Sequence, residues 1–314
     1  MAAGAFSQSP AVVWGDEIKI ENKERYIDII GQDENAFYTA KNLLGTNTEF
    51  ILEKYNKSDV KRQFSKKIHL LELGNQKMAY KSVHLVNEKI YLFATLDNKE
   101  TDSHQVYCTL LSPSGDYLDM PVLLCDLGSK SRHGSEFEIE LSADSSKFLI
   151  YHDAPFERLR NEAFLFSVFD LGLDLIWTKR LELPYSHDVF QINEFRLDQA
   201  GNLYMLSGVS HEKIKDDRTW RAVRKQDYIL ISYDWRQNKV TEFAVELDNK
   251  WVISVTCGIA PSGDLAIGGF YSNDQYFSIA GTFYFRLDAE TREIKAQGMM
   301  AFDRHFLGQF MSEK

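Results

Sequence analysis

The sequence is short of cysteine, proline and basic charge, and each shortage excludes a class of protein. Three cysteines in 314 residues, Cys108, Cys125 and Cys257, form no CxxC pair and are too few for a disulfide-stapled secreted scaffold. Stability must therefore come from packing. No run approaches the roughly 18 apolar residues of a spanning helix, so no membrane-spanning segment is expected. Acidic residues outnumber basic ones by 46 to 36, a formal charge of −10, and that field argues against nucleic acid as a partner. Six prolines and the lack of any Ser/Gly-rich or single-sign stretch leave no linker in sight. HExxH, GxSxG, a Gly-rich phosphate cradle and an Asp-rich calcium loop are all missing, so neither cofactor nor metal is expected.

What is present is material for a core: 44% of residues are hydrophobic and 13% aromatic, which excludes a disordered chain. The pattern is of strands. Asn35-Ala36-Phe37-Tyr38, Lys89-Ile90-Tyr91-Leu92, Lys147-Phe148-Leu149-Ile150, Asn202-Leu203-Tyr204-Met205 and Asp264-Leu265-Ala266-Ile267 read as equivalent second strands. Taking Phe37, Ile90, Phe148, Leu203 and Leu265 as anchors, the steps are 53, 58, 55 and 62 residues. Three of these strands follow turns rich in Asp, Ser and Gly, at 143–146, 198–201 and 260–263, which suit tight hairpins.

A period in the fifties with four strands per unit predicts an all-β protein, a β-propeller of four-stranded antiparallel blades, about five in this chain. We expect the blades over residues 11–302 and a short helical tail over 303–314. Residues 1–10 read either as the remnant of a secretory leader or as an ordinary loose terminus. No strand closing the first blade is visible, so the ring either has five blades or is completed by a further portion or a partner chain. The hairpin near Ser112-Pro113-Ser114-Gly115 places Cys108 opposite Pro121, four residues from Cys125 and beyond disulfide reach.

The start Trp14-Gly15-Asp16-Glu17, the blade segment Gly201-Asn202-Leu203-Tyr204 and the tail Phe306-Leu307-Gly308-Gln309-Phe310 carry a resemblance. On these segments the chain resembles the uncharacterised secreted β-propeller-like proteins of the Bacteroidetes type. That resemblance covers most of the chain. It implies a propeller in the periplasm or at the outer cell surface, and no reaction.

Two places could carry function. In a propeller the first strand of each blade lines the axis, and polar residues alternate there with apolar ones. Glu138 and Glu140 alternate with Phe137, Ile139 and Leu141, Glu194 and Arg196 with Phe195 and Leu197, His84 with Val83 and Leu85, and Asp28 with Ile27 and Ile29. These groups either form a cation or sugar site or pair among themselves in a hydrated channel. Glu138 and Glu140, two residues apart on one strand and so about 7 Å apart, together with Glu194, would also suit a carbohydrate-active enzyme using channel carboxylates. The other place is the face bearing the loops between second and third strands, because rigid strands position such loops and leave their sequence free. The longest, 209–226, gathers Lys213, Lys215, Arg218, Arg221, Arg224 and Lys225 around Trp220. The corresponding loop near the C-terminus offers Tyr271, Tyr276 and Phe277. Guanidinium groups and aromatic rings together can hold a glycan or an acidic protein segment. The expected function is that of a non-catalytic binding or scaffold propeller of the cell envelope, with the carbohydrate-active enzyme as the alternative.

Overall fold

The computed structural model describes residues 14–15, 24–128, 137–153, 161–186, 188–215, 222–273 and 278–303. These residues form strands and turns and contain no helix, so none crosses a membrane as a long apolar helix. The expected leader remnant at 1–10 and the helical tail from 304 onward lie outside the described residues. The chain divides into two compact units, Met1–His133 and Gly134–Lys314.

The first unit holds two four-stranded antiparallel blades. Blade one is β1 (Glu24–Gln32), β2 (Ala36–Leu43), β3 (Glu49–Asn56) and β4 (Arg62–His69). A small hairpin of β5 (Glu72–Leu73) and β6 (Gln76–Lys77) leads to blade two, β7 (Ala79–Val86), β8 (Lys89–Asn98), β9 (Ser103–Leu111) and β10 (Val122–Leu127). The second unit holds three. Blade three is β11 (Glu138–Leu141), β12 (Lys147–Asp153), β13 (Asn161–Asp170) and β14 (Leu175–Ser186). Blade four is β15 (Phe190–Leu197), β16 (Leu203–Lys215), β17 (Ala222–Asp234) and β18 (Lys239–Val245). Blade five is β19 (Trp251–Ile259), β20 (Leu265–Ser272), β21 (Gly281–Leu287) and β22 (Ile294–Ala301). In every blade the strands pair in sequence order, and all five second strands fall where the repeat puts them.

The blades are those of a β-propeller because their apolar faces meet in successive pairs. Phe50, Leu52 and Ile68 of blade one pack with Ile90, Leu92 and Leu111 of blade two. Phe166, Val168 and Trp177 of blade three pack with Phe195, Leu203 and Met205 of blade four. Leu206 and Leu230 on the opposite face of blade four meet Ile267, Phe283 and Phe285 of blade five. Fully burying one such side chain stabilises by about 1.5–3 kcal/mol. First strands lie side by side, β1 with β7 in the first unit and β15 between β11 and β19 in the second.

Within each unit polar side chains fasten neighbouring blades together. Lys66 of blade one donates to Asp116 Oδ1 at 2.7 Å and to the Gly115 carbonyl at 2.9 Å in the turn of blade two. Lys147 of blade three reaches the Gln199 carbonyl at 2.7 Å, and Trp177 Nε1 reaches the Gly201 carbonyl at 3.0 Å. The turn they grip needs its glycine: Gly201 has φ +86°, and an added Cβ would lie 3.2 Å from Trp235 Nε1. Within blade one, Lys41 and Glu53 form a buried ion pair at 3.1 Å, joined by Tyr55 and Arg62.

Three expectations are corrected. Cys108 stands opposite Val122, one position along from Pro121, while Cys125 pairs with Val106; no cysteine is disulfide-bonded. Ile27 and Ile29, expected to pack, are 40% and 72% exposed, in a stretch of β1 between two register shifts where Asp28 is exposed as well. The supposed loop 209–226 is largely a β-ribbon: β16 runs on to Lys215 and β17 starts at Ala222, with Lys213 opposite Arg224. Only 216–221 separates the two strands.

Candidate functional site

The inner strands of the second unit do bring the expected charged groups together. Arg196 Nη2 lies 3.0 Å from Glu194 Oε2, and the same oxygen accepts the backbone N–H of Cys257 on β19 at 3.1 Å. Arg196 Nε in turn donates to the Cys257 carbonyl at 3.2 Å, and its Nη1 to the Phe195 carbonyl at 2.7 Å. The pair thus seams blade four to blade five. Glu140 is partly buried on β11, and burial pushes its carboxyl above the usual range; Arg196 opposes the shift while Glu138 and Glu194 add to it. Glu138 is exposed. Burial, reinforced by the Glu194 charge, pushes the Cys257 thiol up to about 12. His84 belongs to the first unit, edge-on to Phe93 with ring centroids 6.0 Å apart, and burial lowers it to about 4. Among the described residues no three His, Cys, Asp or Glu side chains converge as metal ligands do.

The chemistry of this cluster is constrained by its bonding. Glu194 commits its Oε2 to the Arg196 guanidinium and the Cys257 amide, so that oxygen serves the seam between the blades. Glu140 is the carboxyl of this cluster whose neutral form burial favours, with Glu138 and Glu194 adding to that effect and Arg196 opposing it.

The loop face of the second unit has a different character. Strand β14 ends there, β18 hands over to β19, and β16 and β17 pass by at Val209 and Gln226–Ile229. A cavity of about 390 Å3 opens between these elements, lined among others by Tyr185, Gln226, Asp227, Glu246, Lys250 and Trp251. Val209, Ile229 and Val245 add apolar side chains to the lining. Tyr185 is held in place: its ring stacks on Phe190 with centroids 5.0 Å apart and planes 9° apart, and its hydroxyl donates to Glu242 Oε2 at 3.0 Å. Lys250 donates to Asn273 Oδ1 at 2.6 Å and sits 5.9 Å above the ring of Tyr271. The Gln226 amide rests against Gly208, where any Cβ would collide with it.

Of the loop-face residues expected from sequence, Arg218, Trp220, Arg221, Tyr276 and Phe277 lie outside the described residues, and Arg224 is a strand residue of the ribbon. Tyr271 is corrected: it is a strand residue, 4% exposed, buried beneath Lys250 rather than offered to a ligand. The cavity residues were not expected. Their signal was there, since blade-to-blade connections emerge on the same face as the loops, and Lys250-Trp251 closes one such connection.

No protein-family model matches the chain, and no curated protein matches it. Among solved structures it is similar to an ulvan lyase of a polysaccharide lyase family, solved bound to a GlcA(1-4)Rha3S saccharide, at TM-score 0.50 and 11% identity over 92% of this chain and 69% of that one. Further matches are the β-propeller domain of the trilobed protease from Pyrococcus furiosus, at TM-score 0.42, 11% identity and 88% of this chain against 71% of that one, and a GH43 endo-arabinanase from Bacillus licheniformis, at TM-score 0.38, 12% identity and 90% against 100%. At such identities the likeness concerns the fold alone.

Proposed function

We propose that the protein is a non-catalytic binding or scaffold propeller of the cell envelope that recognises a glycan or protein through its loop face. The observation that carries this reading is the cavity between Tyr185 and Trp251, where aromatic, apolar and hydrogen-bonding side chains share one lining. Ligand sites are commonly concave and apolar with a few placed polar groups. The propeller supplies rigidity, since each blade packs only on its neighbours, and the connections at its rim can serve recognition. The envelope location rests on the resemblance of the terminal and blade segments. The test is co-sedimentation with envelope polysaccharide and protein fractions, together with a reducing-end assay. Retention without chain shortening is the expected result. Retention of nothing defeats the proposal.

A second reading has one observation in its favour: the raised Glu140 beside Glu138 has the character of the acid in a carbohydrate-active enzyme. Several of the solved structures of similar fold are enzymes by their descriptions, including the ulvan lyase. Chain shortening in the same assay, abolished by Glu140→Gln, would establish that reading and displace the first.

A further inference from the structure

The loop-face cavity has a chemistry specific enough to name what it holds. We propose that it binds a short segment of neutral saccharide, an inference that rests on the loop-face binding reading and narrows it.

Size sets the first limit. At about 390 Å3 the cavity falls at the small end of the roughly 300–1,000 Å3 typical of ligand sites. It admits a small ligand or a few rings of a chain, and is too small for a folded partner.

Charge sets the second. Among the described residues the lining carries two carboxylates, Asp227 and Glu246, against one ammonium, Lys250. From these groups an anionic ligand such as a uronate or a phosphate would meet net repulsion. A cation is disfavoured for a different reason: the Lys250 ammonium belongs to the same lining, and the apolar side chains of Val209, Ile229 and Val245 there would not replace the water a charge loses. A polyol carries no charge to desolvate, and each hydroxyl both donates and accepts.

The remaining groups match a sugar ring. Tyr185 is an aromatic surface fixed by its stack on Phe190 and its bond to Glu242, so little rotamer freedom is lost on binding. Trp251 adds a second aromatic group, and the apolar C–H face of a pyranose is suited to such rings. Gln226, Asp227 and Glu246 supply the amide and carboxylate groups that hydroxyls require. Gly208 is part of the design, since the Gln226 amide occupies the space a Cβ would need.

The experiment is an array of neutral, uronate-bearing and amino-bearing oligosaccharides with tetralysine peptide alongside, probed with the full chain. Calorimetry follows on each positive. Neutral oligosaccharides should bind saturably, and Trp251→Ala should weaken them at least tenfold. Gln226→Ala and Gly208→Ala, which displace the amide without removing the aromatic wall, should each weaken them by a smaller factor and leave the melting temperature near that of the wild type. Should Trp251→Ala fail to fold, those two variants decide. Binding confined to charged oligosaccharides or tetralysine overturns the ligand class, and neutral binding indifferent to all three variants overturns the site. An empty array with envelope material still retained sinks the saccharide inference and leaves the loop-face reading standing. An empty array with nothing retained removes both.

Discussion

The carboxylate of Glu194 on the first strand of blade four accepts the backbone N–H of Cys257 on the first strand of blade five at 3.1 Å. A residue that sequence alone marks as a candidate acid or sugar ligand is thus committed to joining two sheets. Glu194→Ala should cost about 1–3 kcal/mol, the usual penalty when a buried donor loses its acceptor. Chemical denaturation measures it. An unchanged midpoint would show that the seam contributes nothing and would return Glu194 to the list of groups available for chemistry.

Gly201 gives a second prediction. At φ +86° with Trp235 Nε1 on one side and Trp177 donating to its carbonyl on the other, the turn tolerates no side chain without movement. Gly201→Ala should cost roughly 1–2 kcal/mol. The fully buried Phe148 and Leu203 should cost more on truncation to Ala, roughly 2–5 kcal/mol each. Thermal melts that rank the three in the reverse order would contradict the packing described.

Acid should weaken the fold in a window set by His84. Burial lowers its imidazole from 6.5 to about 4, so between those values the unfolded chain holds a proton that the folded chain refuses. The contribution is complete above about pH 6.5 and is lost as the pH falls toward 4. At lower pH the Glu53 carboxyl adds to the loss. Burial pushes that group up, but hydrogen bonds from Tyr55, Lys41 and Arg62 outweigh burial and hold it below the usual range. Stability measured across this range should flatten in His84→Gln, and an identical slope in the variant would place the acid sensitivity elsewhere.

Thiol reactivity should separate the three cysteines. Cys108 and Cys257 are buried and their thiols are pushed up, whereas Cys125 is partly exposed. A thiolate-selective reagent near neutral pH should modify Cys125 first in the native protein and all three in denaturant. Equal rates at the three positions would be inconsistent with the burial of Cys108 and Cys257.

Much of the fold was legible because burial imposes a two-residue rhythm wherever a blade is covered on one face. Phe195 and Leu197 point into the core while Glu194 and Arg196 do not, as their alternation announces. The rhythm fails in β1, where Ile27, Asp28 and Ile29 are all exposed between two register shifts, the second of them at Gly31, a strand glycine of the kind that marks a bulge. It fails again in the ribbon of β16 and β17, which pairs through its backbone beyond the core and so needs no apolar pattern. The charged cluster on the inner strands was half visible: its members could be named, but the bond from Cys257 to Glu194 joins residues 63 apart in sequence. The loop-face cavity was invisible as a unit, because Tyr185, Gln226 and Trp251 come from three different blades.

The ribbon has a consequence of its own. β15 pairs with β16 as far as Val209, and β18 pairs with β17 as far as Tyr228. Beyond those points the Ser210 amide still donates to the Val189 carbonyl at 2.6 Å, and past it, among the described residues, the two strands pair with each other. Their outer edges present unused amide and carbonyl groups, the kind of border that invites an additional strand or the extended backbone a peptidase requires. A nick in this extension would fall outside the sheet proper, so blade four would keep its four-stranded pairing while losing the edge that projects from it.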